Sequence, residues 1–271
     1  MKIFGENNLK VIILAAGQGK RLQPLTKSIP KCLVKLFGKS LLEYQLDIFE
    51  KSNILDISVV TGYESKKIKN PKITYFHNKN YEKTNMITSL FCSEKKMTDQ
   101  IIVSYGDIIF EKKVINQLLK TKEDISIVID QNWRRYWELR FENPLDDAET
   151  LKIDSDEYIL EIGQKTSKFS EIHGQYIGLM KFQGKGIHQL KEYYKKAKQS
   201  AENGKNILNS KHSFDNSYMT DLLQGMINDG IKIKAVKINS GWLELDSLKD
   251  YNLYNKLFEG KKLDELFRIE G

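Results

Sequence analysis

The chain has 271 residues, is 40% apolar and carries a formal net charge of +7, which suits one large α/β domain or two small ones with an ordinary core. No apolar run approaches the ~20 residues of a membrane helix, and the lysines are scattered rather than gathered in a block, which argues against a nucleic-acid tract. The amino-terminal MKIFGENNLK lacks the apolar core of a secretory signal, and Cys32 and Cys92 lie far apart without metal-ligand spacing, so a cytoplasmic protein with reduced thiols is expected.

Val11–Leu14 reads as a buried parallel strand. It runs into LAAGQGKRLQPLTKSIPKCLVK (Leu14–Lys35), which holds Gly17, Gly19, Lys20, Arg21, Lys27 and Lys31, with prolines at Pro24 and Pro30. A loop after a strand, rich in backbone N–H groups and positive charge, suits a polyanion, most simply a nucleoside triphosphate. Pro30 fixes where the Lys31 side chain starts. Leu22 stands where a dinucleotide fingerprint needs its last glycine, and the P-loop pattern is also absent.

Further elements follow in order. Ser40 with Glu43 forms a capping box for a helix over Leu41–Ser52. Asp56–Thr61 and Lys72–Phe76 read as strands, Asn85–Lys96 as a helix, Gln100–Tyr105 as a strand ending in Gly106-Asp107, Glu111–Lys120 as a helix and Asp124–Asp130 as a strand. This alternation predicts a doubly wound, mostly parallel sheet. After Asp130 the pattern changes. Leu151–Ile153, Tyr158–Ile162 and Glu171–Phe182 read as short or antiparallel strands, Gly186–Glu202 as a polar helix, and Asn203–Ser213 as a polar loop. Tyr218–Asn228 follows as a helix with Tyr218, Leu222 and Met226 on one face, and Ile231–Ile238 as a strand. Trp242–Leu245 then leads to Asp246 and a last helix from Leu248. Ser247 and Asp250 suffice to cap that helix, which leaves Asp246 free for another role. The expected organisation is a single domain over residues 1–271 with an inserted subregion at about 131–182.

Arginine is scarce: Arg21, Arg134, Arg135, Arg140 and Arg268 are the whole set. Three of them lie in Asn132–Arg140 (NWRRYWELR) among Trp133, Tyr136 and Trp137. Aromatic rings suit a quaternary ammonium by cation–π attraction, whereas arginines suit a carboxylate or phosphate. This stretch is therefore the expected pocket for a small ligand bearing one of these groups.

Gly17, Gly19, Arg21, Leu22, Pro24, Thr26, Pro30 and Lys31 together resemble the signature G-x-G-x-R-L-x-P-x-T-x-x-x-P-K of the nucleotidyltransferases that make nucleotide-activated sugars and alcohols. The resemblance implies a Rossmann-like doubly wound mixed sheet and transfer of a nucleotidyl group to an acceptor phosphate with release of pyrophosphate. It makes Arg21 and Lys31 the catalytic cations, on the triphosphate and the α-phosphate. It sets the nucleotide against Leu14, Ala15, Ala16, Gly17, Gly19, Arg21 and Gly106, and makes Asp107 and Asp246 magnesium ligands, with Glu244 a competitor on the same strand face. Tyr81-Glu-Lys-Thr-Asn85 with Ser89-Leu90 resembles the branch that uses CTP and phosphocholine or similar acceptors, adding Asn85 and Ser89 to the nucleotide pocket. Glu161–Lys165 resembles the strand that presents a lysine to the acceptor phosphate, with Thr166 in place of the usual proline. His173–Gly178 resembles the next strand, where Gly174 lets the acceptor approach.

The acceptor-binding set is thus Trp133, Tyr136, Trp137, Arg140, Lys165 and Gly174. The expected cofactor is Mg2+. The expected partners are CTP and a small phosphorylated acceptor, with no nucleic acid and no membrane insertion, and with homo-oligomerisation left open. Phosphocholine fits the aromatics; phosphoglutamine or an aminoalkyl phosphonate fits the arginines better. The competing readings are uridylyl or thymidylyl transfer to a sugar 1-phosphate, a non-catalytic nucleotide-binding regulator, and, least favoured, a basic nucleic-acid binder.

Overall fold

The computed structural model describes residues 9–269; the amino-terminal segment read above for a signal lies largely outside them. The central sheet has seven strands: β1 (Leu9–Ala15), β4 (Asp56–Thr61), β5 (Thr74–His77), β6 (Gln100–Tyr105), β8 (Ile125–Asp130), β11 (Gln175–Gln183) and β12 (Lys234–Ile238). Their order is β12-β8-β11-β6-β1-β4-β5. β11 runs antiparallel to both of its neighbours, and the other pairings are parallel. The expected mixed, mostly parallel, Rossmann-like sheet is what forms.

The pleat of β1 divides the core. Val11, Ile13 and Ala15 pack on one face with Leu42 and Phe49 of α1 (Leu41–Lys51) and with α3 (Lys112–Lys120), α4 (Trp133–Arg140) and α7 (Leu248–Glu259). Ile12 packs on the other face with Ile87 and Leu90 of α2 (Met86–Phe91), and with α5 (Lys185–Glu202) and α6 (Met219–Asn228). Burial of both faces is what parallel strands require and explains their near-continuous apolar runs.

Three small pairs complete the structure. β2 (Lys35–Leu36) and β3 (Lys39–Ser40) form a hairpin before α1, whose Ser40–Glu43 capping box is present. β9 (Glu149–Ile153) pairs with β10 (Ile159–Lys165). β7 (Ile108–Phe110) pairs antiparallel with β13 (Trp242–Glu244), so the apolar run before Asp246 lies outside the main sheet, directly against the strand that follows Asp107.

Asn132–Phe141, to which the sequence reading assigned no element, contains a full helix, α4. One local expectation is corrected. On α6 the inward residues are Met219, Leu222, Leu223 and Met226, while Tyr218 precedes the helix and is exposed. No helix among the described residues is long and apolar enough to cross a membrane.

Candidate active site

The site forms at the carboxyl ends of β1 and β6, which are parallel neighbours. Ligands of open α/β sheets gather at such ends. The backbone is stitched tightly there. Gly106 N–H donates to Leu14 O at 2.9 Å, and Leu245 N–H donates to Asp107 O at 2.9 Å. A Cβ on Gly106 would sit 2.7 Å from Leu14 O, so the close approach requires glycine. Gln45, buried on α1, donates its amide to Tyr105 O and Ile108 O, each at 2.8 Å, and so pins the backbone on both sides of Asp107.

The Gly17–Lys31 loop is held by its own motif residues. Thr26 is fully buried and donates its hydroxyl to Gly19 O at 2.7 Å. Gly19 has φ 70° and its Cα lies against the Lys31 side chain, where a Cβ would meet Lys31 Cβ at 3.0 Å. Leu22 is buried in the core. These residues aim the two cations. Lys31 Nζ donates to Asp107 Oδ2 at 2.7 Å and to Asp246 Oδ1 at 2.6 Å, and Arg21 lies 3.3 Å from Asp246 Oδ1. The Lys31 side chain is 14% exposed, whereas that of Arg21 is 70% exposed and free to meet a ligand.

Asp246 is released for this role by the cap of α7. Ser247 is the N-cap and forms a complete box with Asp250, as the sequence reading anticipated. Glu244 joins the group: Asp107, Glu244 and Asp246 each place a carboxylate oxygen within 4.8 Å of the others. Asp107 Oδ1 is buried without a hydrogen-bond partner. A concentration of hard oxygen donors with one unsatisfied oxygen suits a divalent cation such as magnesium. The charges respond as expected. Burial works against the Lys31 ammonium, yet the carboxylates of Asp107, Asp246 and Glu244 outweigh it and hold its pKa above the lysine value. Burial likewise opposes the Asp246 carboxylate, and Lys31, Arg21 and Arg140 overcome it, so its pKa lies below the usual range. Glu244 is pushed up by burial and by the charge of Asp246, against the opposing pull of Arg140.

A cavity of about 140 Å³ adjoins the loop, lined by Leu14, Ala16, Gly17, Asn85, Ser89 and Asp107 together with Tyr81, Thr84, Met86 and Tyr105. The structure therefore brings six of the sequence-predicted residues around one space; Ala15, the last residue of β1, and Gly106, just after β6, do not line it. Asn85 is the N-cap of α2 through its side-chain oxygen, and its N–H donates to Asp215 O at 2.7 Å. Ser89 accepts from Asn78 Nδ2 at 2.9 Å. Tyr105 was legible in principle, since it ends β6 beside Gly106. A larger groove of about 590 Å³ beside α1, lined by Leu25, Ile29, Leu46 and Tyr251 among others, contains none of the motif cations and neither aspartate.

The expected acceptor pocket in Asn132–Arg140 is corrected. Trp133, Tyr136 and Trp137 are 4, 2 and 4% exposed and pack into the core around Trp242 and Tyr254. Helical spacing turns these rings inward, against β13 and α7, so they present no open cage. Arg134 pairs with Glu138 and stacks on Phe169, and Arg135 pairs with Glu265. Arg140 is fully buried with its guanidinium engaged by Asp250 and Glu244. Gly174 packs against Ile129 and Asp130 of β8 rather than opening onto a ligand. Lys165 stays near the surface, opposite Glu149 in the β9–β10 ladder, donating to Asp146 O and Asp147 O.

A strand-end loop whose buried Lys31 and exposed Arg21 both meet a carboxylate cluster beside a pocket is the arrangement expected of a nucleotidyltransferase site, where catalysis of phosphoryl chemistry is positioning and charge neutralisation. Comparison with known proteins agrees. Residues 11–167 match the model of the MobA-like NTP transferase domain, and the chain belongs to that family. It is a nucleotidyltransferase. It is 38% identical to the CTP:phosphoglutamine cytidylyltransferase of Campylobacter jejuni over 253 residues, covering 89% of this chain and 97% of that protein. It is 31% identical to the choline-phosphate cytidylyltransferase of Streptococcus pneumoniae over 117 residues, 42% of this chain and 51% of that protein. Among solved structures, the CTP:phosphocholine cytidylyltransferase of Streptococcus pneumoniae superposes with a TM-score of 0.72 at 21% identity, covering 92% of this chain and 99% of that one, a likeness of fold.

Proposed function

We propose that this protein is a magnesium-dependent cytidylyltransferase that condenses CTP with a small phosphorylated acceptor, giving a CDP-linked product and pyrophosphate. The observation that carries the reading is the position of Lys31 Nζ, within 2.7 Å of both Asp107, which lines the cavity beside the Gly17 loop, and Asp246. CTP is favoured because the relative matched over nearly its whole length is named for CTP. The same relative makes phosphoglutamine the preferred acceptor, ahead of phosphocholine and aminoalkyl phosphonates.

In this reading, an acceptor phosphate oxygen attacks the α-phosphorus in line. A new P–O bond forms as the bond to the β-phosphate bridging oxygen breaks, and pyrophosphate leaves. The attacking oxygen is anionic at neutral pH, so no protein general base is needed. Arg21 reaches the triphosphate from its exposed position, and Lys31 leaves the carboxylates to meet the α-phosphate. Leu14, Ala16, Gly17, Asn85 and Ser89 enclose the nucleotide. Asp107 and Asp246, with Glu244 beside them, would hold magnesium, which supplies charge neutralisation on the phosphates. Lys165 orients the acceptor phosphate. Catalysis by this arrangement is positioning and charge stabilisation.

The test is a pyrophosphate-release screen of CTP, UTP, dTTP and ATP against phosphoglutamine, phosphocholine, aminoalkyl phosphonates and hexose 1-phosphates. Turnover with CTP and one of the first three acceptors is the expected result. Turnover only with UTP or dTTP and a hexose phosphate replaces the reading with the sugar one. Nucleotide binding without pyrophosphate release from any pair makes the protein a regulator.

A further inference from the structure

Arg140 closes α4, and its side chain is 1% exposed. Every face of its guanidinium is occupied. Nε and Nη2 donate to the two oxygens of Asp250 at 3.0 and 3.3 Å, and Nη1 donates to Glu244 Oε2 at 3.0 Å. Nη2 also lies 3.7 Å from Asp246 Oδ2. The rings of Tyr136, Trp137 and Phe141 surround it with centroids 5.2–5.4 Å away. All three carboxylates belong to one short stretch, running from the end of β13 through the turn to the first turn of α7.

That stretch is fixed by the same two helices. Asp250 Oδ2 accepts from the N–H groups of Asp246 and Ser247 and from the Ser247 hydroxyl. The Glu244 N–H donates to Tyr136 OH at 2.9 Å, and Tyr254 OH donates to Glu244 O at 2.7 Å. Asp107, Glu244 and Asp246 crowd their oxygens within 4.8 Å, an arrangement that repels itself unless cations hold it. Lys31 and Arg21 approach from the cleft, where a phosphate would draw them away. Arg140 approaches from behind, where no ligand reaches it. A fork with several fixed donors sets the angle of two carboxylates in a way a point charge does not.

We propose that Arg140 is a positioning residue: it holds Glu244 and Asp246 in the spacing and orientation from which a divalent cation is bound. The inference rests on the metal reading of the carboxylate cluster given above. Arg140 touches neither nucleotide nor acceptor, and acts through Glu244 and Asp246.

The test is Mn2+ binding without nucleotide, measured calorimetrically on wild type, Arg140→Lys, Asp250→Asn and Asp246→Asn. The folded fraction of each is followed by circular dichroism at the same temperature. Arg140→Lys keeps the charge and loses the fork; its Mn2+ dissociation constant is expected to rise at least tenfold. Asp250→Asn leaves Arg140 in place and weakens its anchor; it is expected to raise the constant at least threefold, and it carries the test if Arg140→Lys does not fold. In turnover, saturating Mn2+ restores kcat to Arg140→Lys, with the nucleotide KM within twofold of wild type. Mn2+ affinity within twofold of wild type in the folded variants overturns the proposal. So does an affinity loss that only tracks the folded fraction. Wild-type Mn2+ binding by Asp246→Asn overturns the metal reading itself, a different result.

Discussion

Lys31 is the residue whose removal separates two effects in opposite directions. Lys31→Met keeps the bulk of the stem and deletes the ammonium that bonds Asp107 at 2.7 Å and Asp246 at 2.6 Å. Exposed ion pairs contribute ~0–1 kcal/mol, and breaking a buried one costs ~3–5 kcal/mol. The side chains here are 14–24% exposed, so the loss for both contacts together is set at about 2–3 kcal/mol, after discounting for solvent. For a domain of this size that lowers Tm by roughly 4–12 °C. The remaining carboxylates then face one another with less positive charge between them, and a dication no longer competes with Nζ for their oxygens. Ligand at ~100 times its Kd stabilises by about 2.7 kcal/mol, enough to recover the loss. Thermal melts with and without millimolar MgCl2 are therefore expected to show a larger metal-induced rise in Tm for Lys31→Met than for wild type. Turnover falls by ~10²–10³-fold, the scale of removing one charge-stabilising donor. An equal or smaller metal response in the variant would refute the reasoning that Lys31 occupies the metal-accepting oxygens.

Asp107→Asn and Asp246→Asn are each expected to move the Mg2+ activation curve for turnover at least tenfold to higher concentration; a curve that stays in place removes that residue from the ligand set. Trp137→Ala is expected to cost ~3–5 kcal/mol in chemical denaturation, the range for deleting a buried aromatic, because the ring packs against Tyr136 and Trp242 and donates to Asp147. A stable variant with only the acceptor KM raised would return this stretch to the acceptor pocket. Burial pushes the Cys32 thiol up to about 12, above the ~8.5 of a free thiol. Its folded pKa is raised, so the stabilisation of keeping it protonated is complete below ~8.5 and is lost as pH climbs towards the folded value. Titration of the native protein with a thiol reagent at mildly alkaline pH should leave Cys32 unmodified until denaturant is added; rapid labelling would contradict its burial.

Much of the site was legible because its signals are local. The Gly17–Lys31 motif carries its own staples, since Thr26 and Gly19 lie within one loop and need nothing distant to hold it. Asp107 was marked by the strand before it, and Asp246 by the fact that Ser247 and Asp250 cap α7 without it. The reading of Asn132–Arg140 failed for the converse reason. Helical period turned its aromatics inward, and their partners Trp242 and Tyr254 lie more than a hundred residues away. Arg140 and Asp250 are 110 residues apart, a pairing no spacing rule announces. Gln45, which pins the backbone around Asp107, sits in an ordinary amphipathic helix and gives no sign of it.

The amino-acid sequence by itself determined the strands of the main sheet, the Gly17–Lys31 loop and the two aspartates, because apolar runs, caps and glycine positions act over a few residues. Tertiary structure alone decided which charges meet. β13 pairs with β7 instead of joining the main sheet, and that pairing carries Asp246 to Asp107 and Lys31. Packing of α4 against α7 then made Arg140 the support of those carboxylates instead of a surface for the acceptor. Charge interactions depend on distance and burial, and both are set only when segments far apart in the chain close on one another.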